Sequence, residues 1–506
     1  MTTLGGGSAP AVPRMALEGA RLAGVLALVE RSQRFAELAG RIEARDSANV
    51  TDASAGARAF AWAAVVARLG RTVLVVAPSE ERARRWRAEL AGWLGEDRVL
   101  SFPEREAMPF EASAPSHGSL HQRISALWRI REGDPVAIVA PLRAVLQHTM
   151  RPADVADSAR AIASGARLPW RETALWLTRI GYEPVPEVSE PGHFSRRGGI
   201  VDVYPAGAER PVRIELFGDD VETIRTFDPV TQRSQEVMES VVILPAREIS
   251  LDAGPALAER LAAAGWEDLA DHPDLAPFAA AIEPLRQRAY APGLEAFAPV
   301  LGADASLLDH LPERSTVVLE DTVELGLAWD THEQLADERR DELREQGLPV
   351  GVFPTPYVAR DRTEAAAAER GVLRVGPGRD AVSLGWTGVT SYAGRLDTFL
   401  REVAAGGTDT RIVATPQAAR LADLLGERDI FATPLEALAD APADGSLVLL
   451  HVPLAEGFAL PELRARVFTD AEIFGFRKPR HPVRRRRRVA IGSLLADLKP
   501  GDHVVH

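Results

Sequence analysis

The chain has no cysteine, and only Lys478 and Lys499 are lysines among its 59 basic residues. The first absence excludes disulfide scaffolds, thiolate nucleophiles, iron–sulfur clusters and cysteine zinc sites, and makes a reducing, cytoplasmic setting the natural expectation. The second leaves arginine to carry almost all positive charge, so a lysine-bearing phosphate loop has no candidate before residue 478. No run approaches the ~18 to 20 apolar residues of a membrane span. The opening MTTLGGGSAPAVPR also lacks a basic stretch followed by an apolar one, so no membrane partner is expected. The eleven histidines are dispersed without an HExxH pair; His117 and His121 lie four apart, with no carboxylate pattern joining them. There is no G-x-S-x-G elbow either. No catalytic site and no metal site is visible.

What is present is a long chain, 506 residues with 46% hydrophobic and 26% charged, which at ~150 residues per domain reads as several packed domains. A net charge of -13 argues against uniform coating of nucleic acid while permitting a local basic patch.

Six boundaries follow from composition and periodicity. Residues 1–20 read as a flexible leader. From 21 to 150, β-rich runs such as Thr72 to Val76 and Val136 to Val139 alternate with helical patterns, one opened by Ser79, which implies parallel βαβ units. Residues 151–248 carry one helix from Trp170 and then short alternating segments, a small antiparallel sheet module. In Pro211 to Gly218, Val212, Ile214 and Leu216 point to one face and Arg213, Glu215 and Phe217 to the other. Residues 249–346 are mostly helical with one strand-like run, Ser315 to Leu319, and a solvated charged helix over 333–346. A further α/β unit is expected over 347–475, a basic linker over 476–493 and the cut-off start of another domain over 494–506. Gly376 to Ala381 reads as an ordinary loop, not a dinucleotide fingerprint.

Between a strand near Ala48 to Thr51 and a helix from Ala55, where a phosphate loop would sit, the sequence is TDASAGARAF. Gly56 is followed by Arg58 and Ala59, which supply neither the lysine nor the magnesium-holding hydroxyl. The loop reads as inactive. Near the end, Arg484, Arg485, Arg486, Arg487 and Arg488 form a run that could meet DNA phosphates or remain a solvated linker.

Three features together, namely the degenerate loop, the inserted module with RRGGIVDVYPAG and PVRIELFGDDVETIRTFDPVTQRS, and the late TDAEIFG with LKPGDHVVH, resemble the amino-terminal part of the bacterial transcription-repair-coupling factors over about residues 21 to 506. The resemblance implies an α/β fold: a UvrB-like degenerate P-loop domain (1a at 21–150, 1b at 249–346) with the small antiparallel sheet, domain 2, inserted, then a further α/β domain. It implies that domain 2 binds UvrA through Phe194, Arg196, Arg197, Arg213 and Glu215. RNA polymerase would be met through the domain begun at 494–506, and DNA by the intact protein. No cofactor is expected in these residues, ATP and magnesium belonging to a translocase motor beyond residue 506. From alternation alone, Arg197, Arg213 and Glu215 form a solvated face with a weak cross-strand ion pair. The alternative is a UvrB-like ATP-dependent excision repair subunit. Against it, the aromatic hairpin expected after the strand near Val99 is replaced by SFPEREAMPFEASAPSHG, with only Phe102 and Phe110.

Overall fold

The computed structural model describes residues 21–475 apart from 273 and 393. The leader 1–20, the basic stretch 476–493 with Arg484 to Arg488, and the segment 494–506 lie outside the described residues.

Seven parallel strands form the central sheet, in the order Ala381–Trp386, Ala48–Ala53, Val372–Val375, Ser315–Leu319, Thr72–Ala77, Ala137–Pro141, Val99–Ser101. Strands such as TVLVVA and AIVAP are buried at every residue, the pattern of a parallel sheet covered on both faces. Helix Ala55–Leu69 is capped by the Ser54 hydroxyl and stopped by Gly70 in the left-handed region. Helix Glu80–Leu94 opens as expected, with the Ser79 hydroxyl accepting from the Arg82 N–H and two glutamates in the first turn.

The order corrects one expected boundary. Val372–Val375 and Ala381–Trp386 do not open the last α/β unit; Leu373 pairs with Ala48 on one side and Val318 on the other, so its strand is central to the first sheet. The unit expected over 347–475 is therefore divided, because those backbone groups are already taken up in the first sheet. Beyond Trp386 a second sheet has five strands, ordered Pro434–Leu435, Leu447–Leu450, Thr410–Ala414, Ala465–Thr469, Phe458–Leu460, the last antiparallel. The two sheets share one core: Phe60, Trp93, Trp386 and Phe458 pack with ring centroids 5.2 to 6.0 Å apart.

Between the halves of the central sheet come two insertions. Short helices around Trp266, Phe278 and Phe297 take in Phe353 and Phe110. The long helix Thr322–Glu345, which contains the charged stretch, buries only Leu325, Ala336 and Leu343. The second insertion is a six-stranded sheet in the order Ser234–Met238, Asp220–Phe227, Val212–Phe217, Ile200–Val203, His193–Arg197, Glu183–Pro184. It is antiparallel except at its two-residue edge strand. Its stem is the antiparallel ribbon of Arg160–Ala163 with Ser240–Ile243.

Where this insertion returns, Glu248 is fully buried against Arg123 of helix His117–Arg131, with Nε 2.9 and 3.1 Å from its two oxygens. Thr149 donates to the same carboxylate at 2.7 Å. Arg123 Nη1 donates to the Pro103 carbonyl at 2.9 Å, and Gln147 clasps both backbone groups of Arg105. Burial lowers Arg123 to about 10, opposed by Glu248. Removing one partner of a buried pair strands the other charge. Urea unfolding of Arg123→Met is thus expected to show a loss of about 3 to 5 kcal/mol, with the double variant Arg123→Met, Glu248→Leu recovering part of it. A loss under about 1 kcal/mol would show the pair to be dispensable.

Burial also pushes His148 down to about 4 and lowers His310 and His332. Such histidines stay neutral in the fold but take up protons when unfolded. The contribution of His148 is complete above the ordinary value of 6.5 and is lost as pH falls toward 4. The urea midpoint should fall across that window, less steeply in His148→Phe.

Candidate partner-binding face of the inserted sheet

Strand pleating sorts the five expected site residues onto two faces. On the inner face lie Val201, Val203, Val212, Ile214 and Ile224, packed with Trp176. Phe194 belongs to this face: it is 4% exposed and its ring packs 6.1 Å from Trp170. Its expected place in the binding face is therefore corrected, since its parity in the strand turns it into the core. Arg196 shares that parity; exposed at the sheet margin, it lies over Trp170 at 5.1 Å and donates to the Gly198 carbonyl at 2.9 Å.

Arg197, Arg213 and Glu215 share the outer face, but not as an ion pair with one another. The organising group is Asp202, only 1% exposed, in register between Ser195 and Arg213. Its carboxylate accepts from Arg213 Nε at 2.8 Å, from Arg213 Nη2 at 3.0 Å and from Arg197 Nη2 at 2.9 Å. Hydrogen bonding to Asp202 pushes Arg213 above its ordinary value. Arg213 also donates to the Gln232 carbonyl at 3.1 Å and covers Phe227 at 4.7 Å, leaving its side chain 13% exposed. It is a strut within the sheet more than a free contact. Glu215 accepts from the Thr223 hydroxyl at 2.8 Å. Arg197 keeps half its side chain in solvent.

The exposed apolar members of this face are Phe217, at 79%, and Val237, at 65%; Val237 stands in register with Arg225, which faces Arg213. An exposed aromatic beside arginines has the composition of a protein-binding hot spot. Asp202 and the exposed Phe217 were the functional candidates that residue-by-residue reading passed over. The signal for Asp202 was a lone carboxylate between the inward valines of IVDV.

The degenerate loop is filled by protein. One residue, Ser54, separates strand Ala48–Ala53 from helix Ala55–Leu69, leaving no glycine-rich turn. Arg58 Nη2 lies 2.7 Å from Glu320, which follows strand Ser315–Leu319, and Nη1 donates to the Ala53 carbonyl at 3.1 Å. Ala59 is buried. A Cβ at Gly56 would come 2.3 Å from the Glu456 carbonyl oxygen of the second sheet domain, so the helix start is covered. In the segment SFPEREAMPFEASAPSHG that stands where the aromatic hairpin was expected, Phe102 lies under Arg123 at 4.0 Å and Phe110 packs on Phe353 at 5.0 Å; both are buried.

A UvrB interaction domain model matches residues 161–249, the inserted sheet with its stem. Along its length the chain is similar to the transcription-repair-coupling factor of Myxococcus xanthus, 28% identical over 93% of this chain and 42% of the relative. That of Bacillus subtilis is 25% identical over 90% and 40%. The similarity to transcription-repair-coupling factors thus runs along nearly the whole chain. The chain spans about two fifths of the length of these relatives. The UvrABC system protein B of Thermosipho africanus is 29% identical, but over 38% of this chain and 31% of its own; this likeness is shorter than that to the transcription-repair-coupling factors, and the UvrB-like alternative is correspondingly weaker.

Asp202→Asn removes the charge that both arginines share. Chemical denaturation should record a loss of about 3 kcal/mol, as for a broken buried pair, whereas Glu215→Gln should stay within about 0.5 kcal/mol. Equal effects of the two changes would contradict the assignment of Asp202 as organiser.

Proposed function

We propose that this chain is the UvrA-recruiting portion of a transcription-repair-coupling factor, bringing the excision repair machinery to RNA polymerase stalled at DNA lesions. The reading is carried by the coincidence of the UvrB interaction domain match with a sheet whose outer face holds arginines and an exposed phenylalanine. On this reading polymerase release is the work of an ATP- and magnesium-dependent translocase outside residues 1–506, and polymerase is met through a separate domain. The arginines Arg484 to Arg488 would add salt-sensitive, sequence-blind contact with DNA phosphates. A cytoplasmic location accords with such a role.

Calorimetric titration with UvrA tests it. Arg197→Ala and Phe217→Ala should each weaken binding by about tenfold or more, as truncated hot-spot residues do. Phe194→Leu should act mainly on stability, because that ring is in the core. Undiminished binding by the Arg197 and Phe217 variants would move the site off this face, and no binding by the unaltered chain would sink the recruiting role.

The UvrB-like alternative predicts a nucleotide at the loop of Gly56, Arg58 and Ala59. With Arg58 held by Glu320 and Gly56 against Glu456, the expected result of titration with ATP and magnesium is no heat of binding, both for the chain and for Arg58→Ala. Stoichiometric binding abolished by that substitution would restore the alternative.

A further inference from the structure

Beneath the segment from Arg105 to Pro115, between the central sheet and the helical insertion, lies a cavity of about 50 Å³. Arg105, Arg143 and His148 line it, and each side chain is more than nine-tenths buried. Arg105 comes from the segment itself, Arg143 from helix Leu142–Leu146, and His148 from just beyond that helix. Opposite them are Glu295 and the stretch Thr355 to Tyr357.

The polar atoms around this space are unevenly matched. Arg105 Nη1 and Arg143 Nε are buried donors without a hydrogen-bond partner, and His148, neutral in the fold, offers one N–H beside them. The nearest carboxylate to Arg105 Nη1 in an ion pair is Glu248, at 3.6 Å, beyond hydrogen-bond reach; Arg143 Nη1 is 3.8 Å from Glu104.

The acceptors, by contrast, are engaged. Glu248 is taken by Arg123 and Thr149. Glu295 accepts from the Tyr290 hydroxyl, 3.1 Å from each oxygen. Glu111 accepts from the Met108 N–H and the Ser113 hydroxyl, both at 2.9 Å. Burial also raises Glu295 and Glu104 above the usual carboxylate range, opposed at Glu295 by Arg247 and at Glu104 by Arg143.

Unsatisfied donors in such a place are costly, and the group that relieves them must bring acceptors without new donors. Water brings two protons of its own for every oxygen. Sulfate brings none on four oxygens, and hydrogen phosphate only one. The space is several times the ~10 to 15 Å³ a single water needs and far below the ~300 Å³ at which nucleotide-sized ligands are usually held.

We propose that this cavity binds one tetrahedral oxyanion of phosphate or sulfate size through Arg105, Arg143 and His148. The ion ties the Arg105 segment to the central sheet body and to the Thr355 stretch. Its source is either free solute or a terminal phosphate ester of nucleic acid; the recognising chemistry is the same.

Thermal unfolding of the whole chain at matched ionic strength distinguishes these. Saturating phosphate or sulfate should raise the midpoint by about 2 °C or more over chloride, and isothermal titration with sulfate should show one site. The shift should vanish in His148→Val, which removes the donor without filling the cavity, and in Arg143→Gln. If free ions have no effect but a 5′-phosphorylated oligonucleotide stabilises where its unphosphorylated twin does not, and the variants abolish this, the ester is the source and the site stands. Equal midpoints in chloride, phosphate, sulfate and both oligonucleotides overturn the proposal, as does an anion shift that persists in both variants. Because the unaltered chain alone can give the first of these negative results, a variant that fails to fold does not protect the proposal.

Discussion

The fold depends on one closure: strand Ser315–Leu319 has to find its slot between Thr72–Ala77 and Val372–Val375 after more than 170 residues of insertion. Parallel pairing gives no local help, because neighbouring strands need crossover connections and the chain between them must be returned by tertiary contacts. The buried carboxylate of Glu248, placed where the inserted sheet gives the chain back, meets Arg123 and Thr149 from the segment before the insertion. Its desolvation makes the wrong arrangement costly, since an unpaired Glu248 or Arg123 in that position would be a buried charge without a partner. The pair thus contributes register as much as stability, and the segment around Arg105 and Gln147 is organised about it.

The same logic recurs at two other places with different consequences. In the inserted sheet, one buried aspartate holds two arginines, so the outer face is preorganised, with Arg197 projecting and Arg213 fixed against Phe227. Preorganised side chains lose less entropy on binding. At the degenerate loop, Arg58 and Glu320 neutralise each other, and the second sheet domain closes over the helix start. The start of helix Ala55–Leu69 is thereby part of a domain contact. The shared core of Phe60, Trp93, Trp386 and Phe458 makes that contact part of one body.

Much of the fold was legible in the sequence. Fully buried parallel strands announce themselves as apolar runs, and Ser54, Ser79 and Gly70 mark helix ends through local hydrogen bonding and backbone freedom. The alternation of Val212, Ile214 and Leu216 with Arg213, Glu215 and Phe217 placed one strand with its faces correctly assigned. Phe194 was misplaced because a family motif was carried over without asking which way its strand parity turned it. The same alternation already left Phe217 facing out. Strands Val372–Val375 and Ala381–Trp386 were recognisable as β segments, but nothing in their composition says which sheet they join.

Composition and short-range pattern by themselves determined the α/β class, the absence of cysteine chemistry, the missing phosphate-loop lysine, and the helix caps, all of which depend on residues within a few positions of one another. Tertiary structure alone decided which strands share a sheet, that Asp202 lies between two arginines, that Arg58 finds Glu320 262 residues away, and that Arg105, Arg143 and His148 surround one cavity. The physical reason is separation: propensity and periodicity act over a turn or a strand, whereas charge pairing and sheet order are fixed by which distant groups burial forces together.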